Sequence, residues 1–280
     1  MNYIFISSKD GINKVGIIED ERLVEYYGEE DDNEKLVGNV YRGRVVNVLK
    51  GMGAAFVDIG EGRNAYLYVK DAYNKEELLS KRNYTIDQVI KSGDEIIVQV
   101  TKEALESKGP KVTKHISIPG RYIVLTPFSS RIHTSRKIKD CIEITRLQET
   151  GKKMIKDDIG MIFRTNSQGA SEDLLKDEYK QLLDIYAKIE NQRGFLPTPK
   201  LIYKEMSLVY KIVRDTFNER DHQIIVNNRE VYNRILELGN YDSSSTKNKI
   251  VLDEKFCIEK NSKIQGDIEQ AFNSKVKLKS

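Results

Sequence analysis

The sequence predicts an α+β multidomain protein in which a five-stranded β-barrel and a smaller α+β unit interrupt an α/β layer made from the two ends of the chain. Three observations predict it. Short strand-like runs at close intervals, separated by glycine turns, fill residues 40–118. Helical periodicity is strongest from Ser171 to Gly194, and strand and helix signals alternate from Met206 onward. A single core over 280 residues is less economical than two or three smaller ones.

The first element is a meander. Tyr3-Ile4-Phe5-Ile6, the turn signal Lys9-Asp10-Gly11, Val15-Gly16-Ile17-Ile18 and Leu23 to Tyr27 read as three strands. The acidic run from Glu29 to Glu34 buries nothing and reads as a solvated boundary. Five strands follow, at Val40 to Leu49, Ala54 to Ile59, Ala65 to Val69, Asp94 to Thr101 and Val112 to Ile118. Gly51-Met52-Gly53 and Gly60-Glu61-Gly62 supply corners that need an unhindered backbone. Lys75 to Ile90 is longer and helix-compatible, placed where a five-stranded oligonucleotide-binding barrel carries its connecting helix.

After Pro119-Gly120 a strand at Tyr122 to Leu125 leads into a loop running to Ile138, and a second strand spans Gly160 to Thr165. Ser171 then opens a helix. Glu172 and Asp173 favour its positive amino end, and Leu174, Leu175, Tyr179, Leu182, Leu183, Tyr186 and Ile189 recur at helical spacing as a core stripe. The remainder reads as helix 206–217, strand 223–226, helix 230–238, strand 249–252, helix 264–272 and a final run from Val276. No internal repeat or low-complexity tract is present.

Charge is the first pointer to function. Lys and Arg total 46 against 43 Asp and Glu, a net charge of +3. From Ser107 to Lys139, however, stand eight basic residues (Lys108, Lys111, Lys114, Arg121, Arg131, Arg136, Lys137 and Lys139) and no acid, which leaves 3 − 8 = −5 for the rest. Such segregation suits a polyanion, the bland alternative being a solvated basic face. In the barrel, Tyr41, Phe56, Tyr66 and Tyr68 are interleaved with Arg42, Arg44, Lys50 and Arg63. Rings stack on bases while cations follow phosphates, so the mixture suits single-stranded nucleic acid, though alternation lets only some rings share a face. Cys141 and Cys257 have no metal-type spacing and fit a reduced, cytoplasmic setting. No apolar run approaches the length of a bilayer span. His115, His133 and His222 are dispersed, with no evident nucleophile beside them, and Asp157-Asp158 and Glu29 to Asp32 read as solvated loops rather than metal sites.

Several ordered motifs carry a family resemblance. They are Asn39-Val40-Tyr41-Arg42-Gly43-Arg44-Val45, Ala54-Ala55-Phe56-Val57-Asp58-Ile59-Gly60, Ala65-Tyr66-Leu67, Lys108-Gly109-Pro110-Lys111-Val112-Thr113, Ile116 through Leu125, Ser135-Arg136-Lys137-Ile138 and Gly160-Met161-Ile162-Phe163-Arg164-Thr165. Across essentially the whole chain they resemble the RNase E/G family, the first of them its S1-type RNA-binding domain. The resemblance implies an S1-type OB barrel at 36–119, a 5′-sensor domain at 120–214, and a split RNase H-like subdomain at 1–35 and 215–280. It implies that Gly120, Val124, Arg164 and Thr165 bind a 5′ monophosphate, and that Phe56, Tyr66 and Lys108 contact RNA. Arg121, Arg136 and Lys137 are further RNA-binding candidates from the basic tract. Tyr66 departs from the phenylalanine expected there but still stacks. Without the resemblance, Arg164 reads as a strand-end arginine paired with Asp157 or Asp158.

The implied activity is magnesium-dependent endonucleolytic cleavage of single-stranded RNA, favoured by a 5′ monophosphate, in a homo-oligomer. The family's metal-binding aspartates are expected after Ser280, so the chain should bind RNA without cutting it and hold no Mg2+ itself. The RNase H-like part should be a scaffold, because Tyr3-Ile4-Phe5-Ile6 offers no carboxylate for a metal. A free-standing RNA-binding adaptor, or an oligosaccharide-binding barrel, are the alternatives from other classes.

Overall fold

A computed structural model describes residues 2–30, 35–74, 83–105, 108–155, 159–192, 194, 197–217, 222–238, 249–257 and 262–271. The chain forms two compact units, residues 1–34 with 206–280, and residues 35–205.

In the first unit, β1 (Asn2–Lys9), β2 (Ile12–Glu19) and β3 (Arg22–Glu30) form an antiparallel meander. The later strands β14 (His222–Val226) and β15 (Ile250–Leu252) join it in parallel, giving the order β15-β14-β1-β2-β3. Asp10 and Gly11 both take positive φ, 52° and 74°, the geometry a two-residue hairpin turn requires. The β2–β3 turn uses Asp20 and Glu21 at φ 48° and 63°, a left-handed conformation that aspartate visits more readily than glutamate. β1 is apolar on both faces because both are covered. Ile4 and Ile6 pack with Val209, Ile212 and Val213 of the helix Leu208–Thr216, with Phe217, and with Ile235. Phe5 faces the other way, stacking on Phe256 at 4.6 Å between ring centroids and packing with Ile264 of the helix Ser262–Ala271. The return to this unit therefore comes at Met206, ahead of the expected residue 215, because Val209, Ile212 and Val213 belong to its core.

The second unit is built around a closed barrel of five strands, β4 (Val40–Leu49), β5 (Ala54–Asp58), β6 (Ala65–Tyr68), β7 (Glu95–Lys102) and β8 (Lys111–Thr113). They run in the order β4-β5-β6-β8-β7, with β7 closing on β4. Val45, Val57, Leu67, Val98 and Val112 fill the interior. Ten-residue β4 is long enough to pair with β5 at one end and, along the same strand, with β13 (Lys200–Tyr203) at the other. β13 went unforeseen. Between β6 and β7 the helix Ile86–Val89 lies where a connecting helix was expected, capped by Thr85 and Gln88, while residues 75–82 of that expectation fall outside the described set. The last barrel strand is shorter than predicted. It stops at Thr113, whose hydroxyl accepts from the His115 amide, and β9 (Ile118–Pro119) already belongs to the next sheet.

That sheet has the order β11-β12-β10-β9, adding β10 (Ile123–Thr126), β11 (Ile132–Thr134) and β12 (Gly160–Phe163). β11 emerges from what the sequence presents as loop. The predicted helix from Ser171 is present as Glu172–Asn191, with the Ser171 hydroxyl accepting from Leu174 N. A second helix, Cys141–Met154, was not expected. Its β-branched start and the 81% exposed Ile142 blur the apolar stripe, but Asp140 caps it by accepting from Ile142 N, and Leu147 and Met154 are buried. Gly151 keeps it close to the sheet, since a Cβ there would sit 3.0 Å from both Ile132 and Phe163. The acidic residues 31–34, Asp157-Asp158 and the run from Val276 lie outside the described residues.

Candidate nucleic-acid interface

Two patches of the second unit gather the residues singled out from the sequence. On the barrel, strand alternation sorts the aromatics. Phe56 and Tyr66 are direct cross-strand partners on β5 and β6, half-buried on the outer face, with ring centroids 6.2 Å apart in an edge-to-face arrangement at 71°. The register continues sideways, from Asn47 on β4 to Phe56 and from Tyr66 to Lys111 on β8. One transverse row thus presents an amide, two rings and an ammonium group. Tyr68 lies two residues along, exposed on the same face. Tyr41 does not join them: it is 1% exposed and its hydroxyl donates to Glu61 at 2.9 Å.

Backbone packing places Lys108. The Tyr66 amide donates to the Pro110 carbonyl at 2.8 Å, and a Cβ on Gly109 would lie 2.0 Å from the Asn64 carbonyl oxygen. The segment Lys108 to Lys111 is therefore pinned along β6, with Lys108 exposed. Other barrel cations are partly neutralised. Arg42 and Arg44 both donate to Glu95, and Lys111 pairs with Asp71 at 2.7 Å. Arg44 holds the Glu95 carboxyl below its ordinary value, with burial opposing and Arg42 assisting.

The second patch forms where β10 and β12 meet the turn before β10. Arg164, at the end of β12, donates from its backbone to the Tyr122 carbonyl at 2.7 Å and from Nη1 to the Gly120 carbonyl at 2.5 Å. The Thr165 hydroxyl is 3.0 Å from that of Ser135, whose amide donates to the Phe163 carbonyl and whose hydroxyl accepts from Lys137 N. These bonds bring the turn carrying exposed Arg136 and Lys137 beside Arg164 and Thr165. Val124 lies between buried Ile123 and Leu125, so its side chain points away from the core. Arg121 lies over the Tyr122 ring at 5.4 Å, and its buried Nε has no hydrogen-bond partner among the described residues.

A carboxylate not singled out from the sequence organises this turn. Glu178 accepts from the amides of Arg121, Tyr122 and Ile123 at 2.6, 2.8 and 2.7 Å. With Gly120 N donating to Ile123 O, all four amides of residues 120–123 are committed. Burial pushes the Glu178 carboxyl upward, against the pull of the three amides and of Arg164. The sequence held a signal for it: Glu178 sits at i+3 between Leu175, Tyr179 and Leu182, an acid within an apolar stripe. Just beyond Thr165, Glu143 accepts from Gly169 N at 2.8 Å and from Arg146 through two bonds, and Arg146 holds the Glu143 carboxyl below its ordinary value.

Five of the eight basic residues between Ser107 and Lys139 thus fall in two places, Lys108 and Lys111 beside the rings and Arg121, Arg136 and Lys137 around Arg164. No group of three His, Cys, Asp or Glu side chains placed to hold a metal ion occurs among the described residues, and no helix among them is long and apolar enough to cross a membrane.

Comparison with known proteins matches residues 34–114 to the S1 RNA binding domain and residues 117–280 to the Ribonuclease E/G family. The chain is 30% identical to ribonuclease G of Escherichia coli K12 over 274 residues, covering 95% of this chain and 56% of the relative. It is 30% identical to ribonuclease G of Haemophilus influenzae over 245 residues, 85% of this chain and 50% of that protein. Ribonuclease E of a Nostoc species is 28% identical over 249 residues, 87% of this chain and 36% of that protein. The chain spans about half the length of the ribonuclease G relatives it matches.

Proposed function

Because the chain belongs to the ribonuclease E/G family, we propose that these 280 residues supply the RNA grip and the 5′-monophosphate sensor of an endoribonuclease that cleaves single-stranded RNA in cytoplasmic RNA processing or decay. On this reading the barrel holds the strand by stacking on Phe56 and Tyr66 beside Lys108. The sheet with Arg164 is the 5′ sensor, and the unit made from the chain ends is a split RNase H-like scaffold. The whole enzyme would act as a homo-oligomer.

One observation carries the proposal: Arg164 is fixed by the 120–123 turn beside the Thr165 and Ser135 hydroxyls, with Arg121, Arg136 and Lys137 on the same segments. A terminal monophosphate presents more charge and more acceptor oxygens than an internal diester. A planar guanidinium, with the paired hydroxyls of Thr165 and Ser135 on neighbouring residues of the same segments, favours it over a 5′ hydroxyl. With the 120–123 amides already engaged, such a site reads phosphate chiefly through side chains.

Magnesium belongs to the proposal for the whole enzyme, where it would activate water for attack on the phosphodiester. Among the described residues no group of three His, Cys, Asp or Glu side chains fits the ion, and the part proposed for them here is binding and orienting RNA. The test is to compare affinity for one short RNA carrying either a 5′ phosphate or a 5′ hydroxyl. The parent should prefer the phosphate by about tenfold, and Arg164→Ala should erase that preference. Equal affinities in the parent would overturn the sensor assignment. RNA cleavage by the purified chain on adding magnesium would overturn the division between gripping and cutting.

A further inference from the structure

We infer, on the 5′-sensor reading above, that Glu178 is the positioning residue of that pocket: its carboxylate locks the 120–123 turn so that Arg164 is aimed before any phosphate arrives. Glu178 projects from the helix Glu172–Asn191, more than fifty residues along the chain from the turn. Its two oxygens take the amides of Arg121, Tyr122 and Ile123 at 2.6 to 2.8 Å, three charge-assisted bonds to consecutive residues. Leu175, Tyr179 and Leu182, buried on either side of it, hold the helix in place.

The geometry leaves the turn one orientation. The amides face Glu178, the Gly120 amide closes on the Ile123 carbonyl, and the Gly120 carbonyl receives the Arg164 guanidinium. The Tyr122 carbonyl takes the backbone amide of the same arginine at 2.7 Å. Arg164 is thus held at two points by a turn that Glu178 holds at three. Gly120 is matched to the carboxylate as well as to the turn, because a Cβ there would lie 2.6 Å from Glu178 Cδ and 2.8 Å from each oxygen. Glu178 also settles which groups meet the ligand. Consecutive backbone amides are a ready anion site, and here an internal anion already fills it, so the incoming phosphate is left to the side chains.

The experiment measures dissociation constants for one short RNA with a 5′ phosphate and with a 5′ hydroxyl, in the parent, Glu178→Ala, Glu178→Gln, Arg164→Ala and Arg164→Ala with Glu178→Ala. The preference for 5′ phosphate should fall about tenfold in Glu178→Ala, the size of one lost charge-assisted contact, while 5′-hydroxyl RNA binds within about twofold of the parent. Glu178→Gln keeps the shape and one good acceptor, so it should retain part of the preference. It serves as the readout if Glu178→Ala does not fold. For end preference the double variant should be no worse than Arg164→Ala alone, because the preference that Glu178 supports runs through that arginine. A general structural role would instead weaken both RNAs together and add to the Arg164 loss. Glu178 variants that keep the parent's preference, or that lose affinity for both RNAs equally, would overturn the inference with the sensor reading intact. A parent without preference removes both.

Discussion

The barrel face and the patch around Arg164 lie in one compact unit and share one basic tract, yet they are made in opposite ways. On the barrel, the outward-facing groups come from adjacent strands, and each is placed by pleat and register alone: Phe56 opposite Tyr66, Tyr66 opposite Lys111. Around Arg164, nothing is placed by a regular element alone. The arginine depends on a turn, the turn on a carboxylate from a distant helix, and Thr165 on Ser135 thirty residues away. A regular face tolerates any base that stacks, whereas a lattice of specific hydrogen bonds tests one chemical group in one position.

The comparison breaks at its strongest point if the two rings are not the general grip. Replacing Phe56 and Tyr66 together by alanine should cost about 1–3 kcal/mol of RNA affinity. The loss should be equal for 5′-phosphate and 5′-hydroxyl RNA in a binding titration. An effect confined to one of the two would merge the patches into a single site. Gly109→Ala tests the placement of Lys108 by backbone packing. The methyl group meets the Asn64 carbonyl, so thermal unfolding should show a loss of about 1–3 kcal/mol, and RNA binding should weaken without changing end preference. Lys108→Ala is milder. It should lower the slope of log affinity against log salt by about one unit or less and leave that preference alone.

The smallest effect probes the foot of the Arg164 patch. Arg146 depresses the Glu143 carboxyl, so the pair stabilises the fold above the ordinary carboxylate range and the contribution is lost as pH falls through the depressed value. Glu143→Gln should therefore lower stability by about 0.5 kcal/mol near neutrality, and the gap from the parent should close in acid. A gap that widens in acid would contradict the sign.

The same contrast decides what could be read from the sequence. The barrel strands were legible because alternation and glycine corners are local signals, and so was the helix opened by Ser171. Tyr41 misled because an aromatic beside arginines looks the same whether it faces RNA or, as here, Glu61 and the core. The helix Cys141–Met154 was hidden by its β-branched start and exposed Ile142, and β11 and β13 by their shortness. The Arg164 patch is legible only through the family motifs, since hydrogen bonds between residues 44 to 57 positions apart leave no periodic trace. Glu178 was the exception that could have been caught, as an acid in an apolar stripe.

The pairing of β1 with β14 has a consequence for synthesis. β1 ends at Lys9 and its parallel partner begins at His222, 222 − 9 = 213 residues later. At about 5–20 residues per second, β1 waits roughly ten to forty seconds for the strand that completes its flank. All of residues 35–205 is made in that interval. Until β14 emerges, the apolar edge of β1 is therefore open to chaperones or to a neighbouring nascent chain.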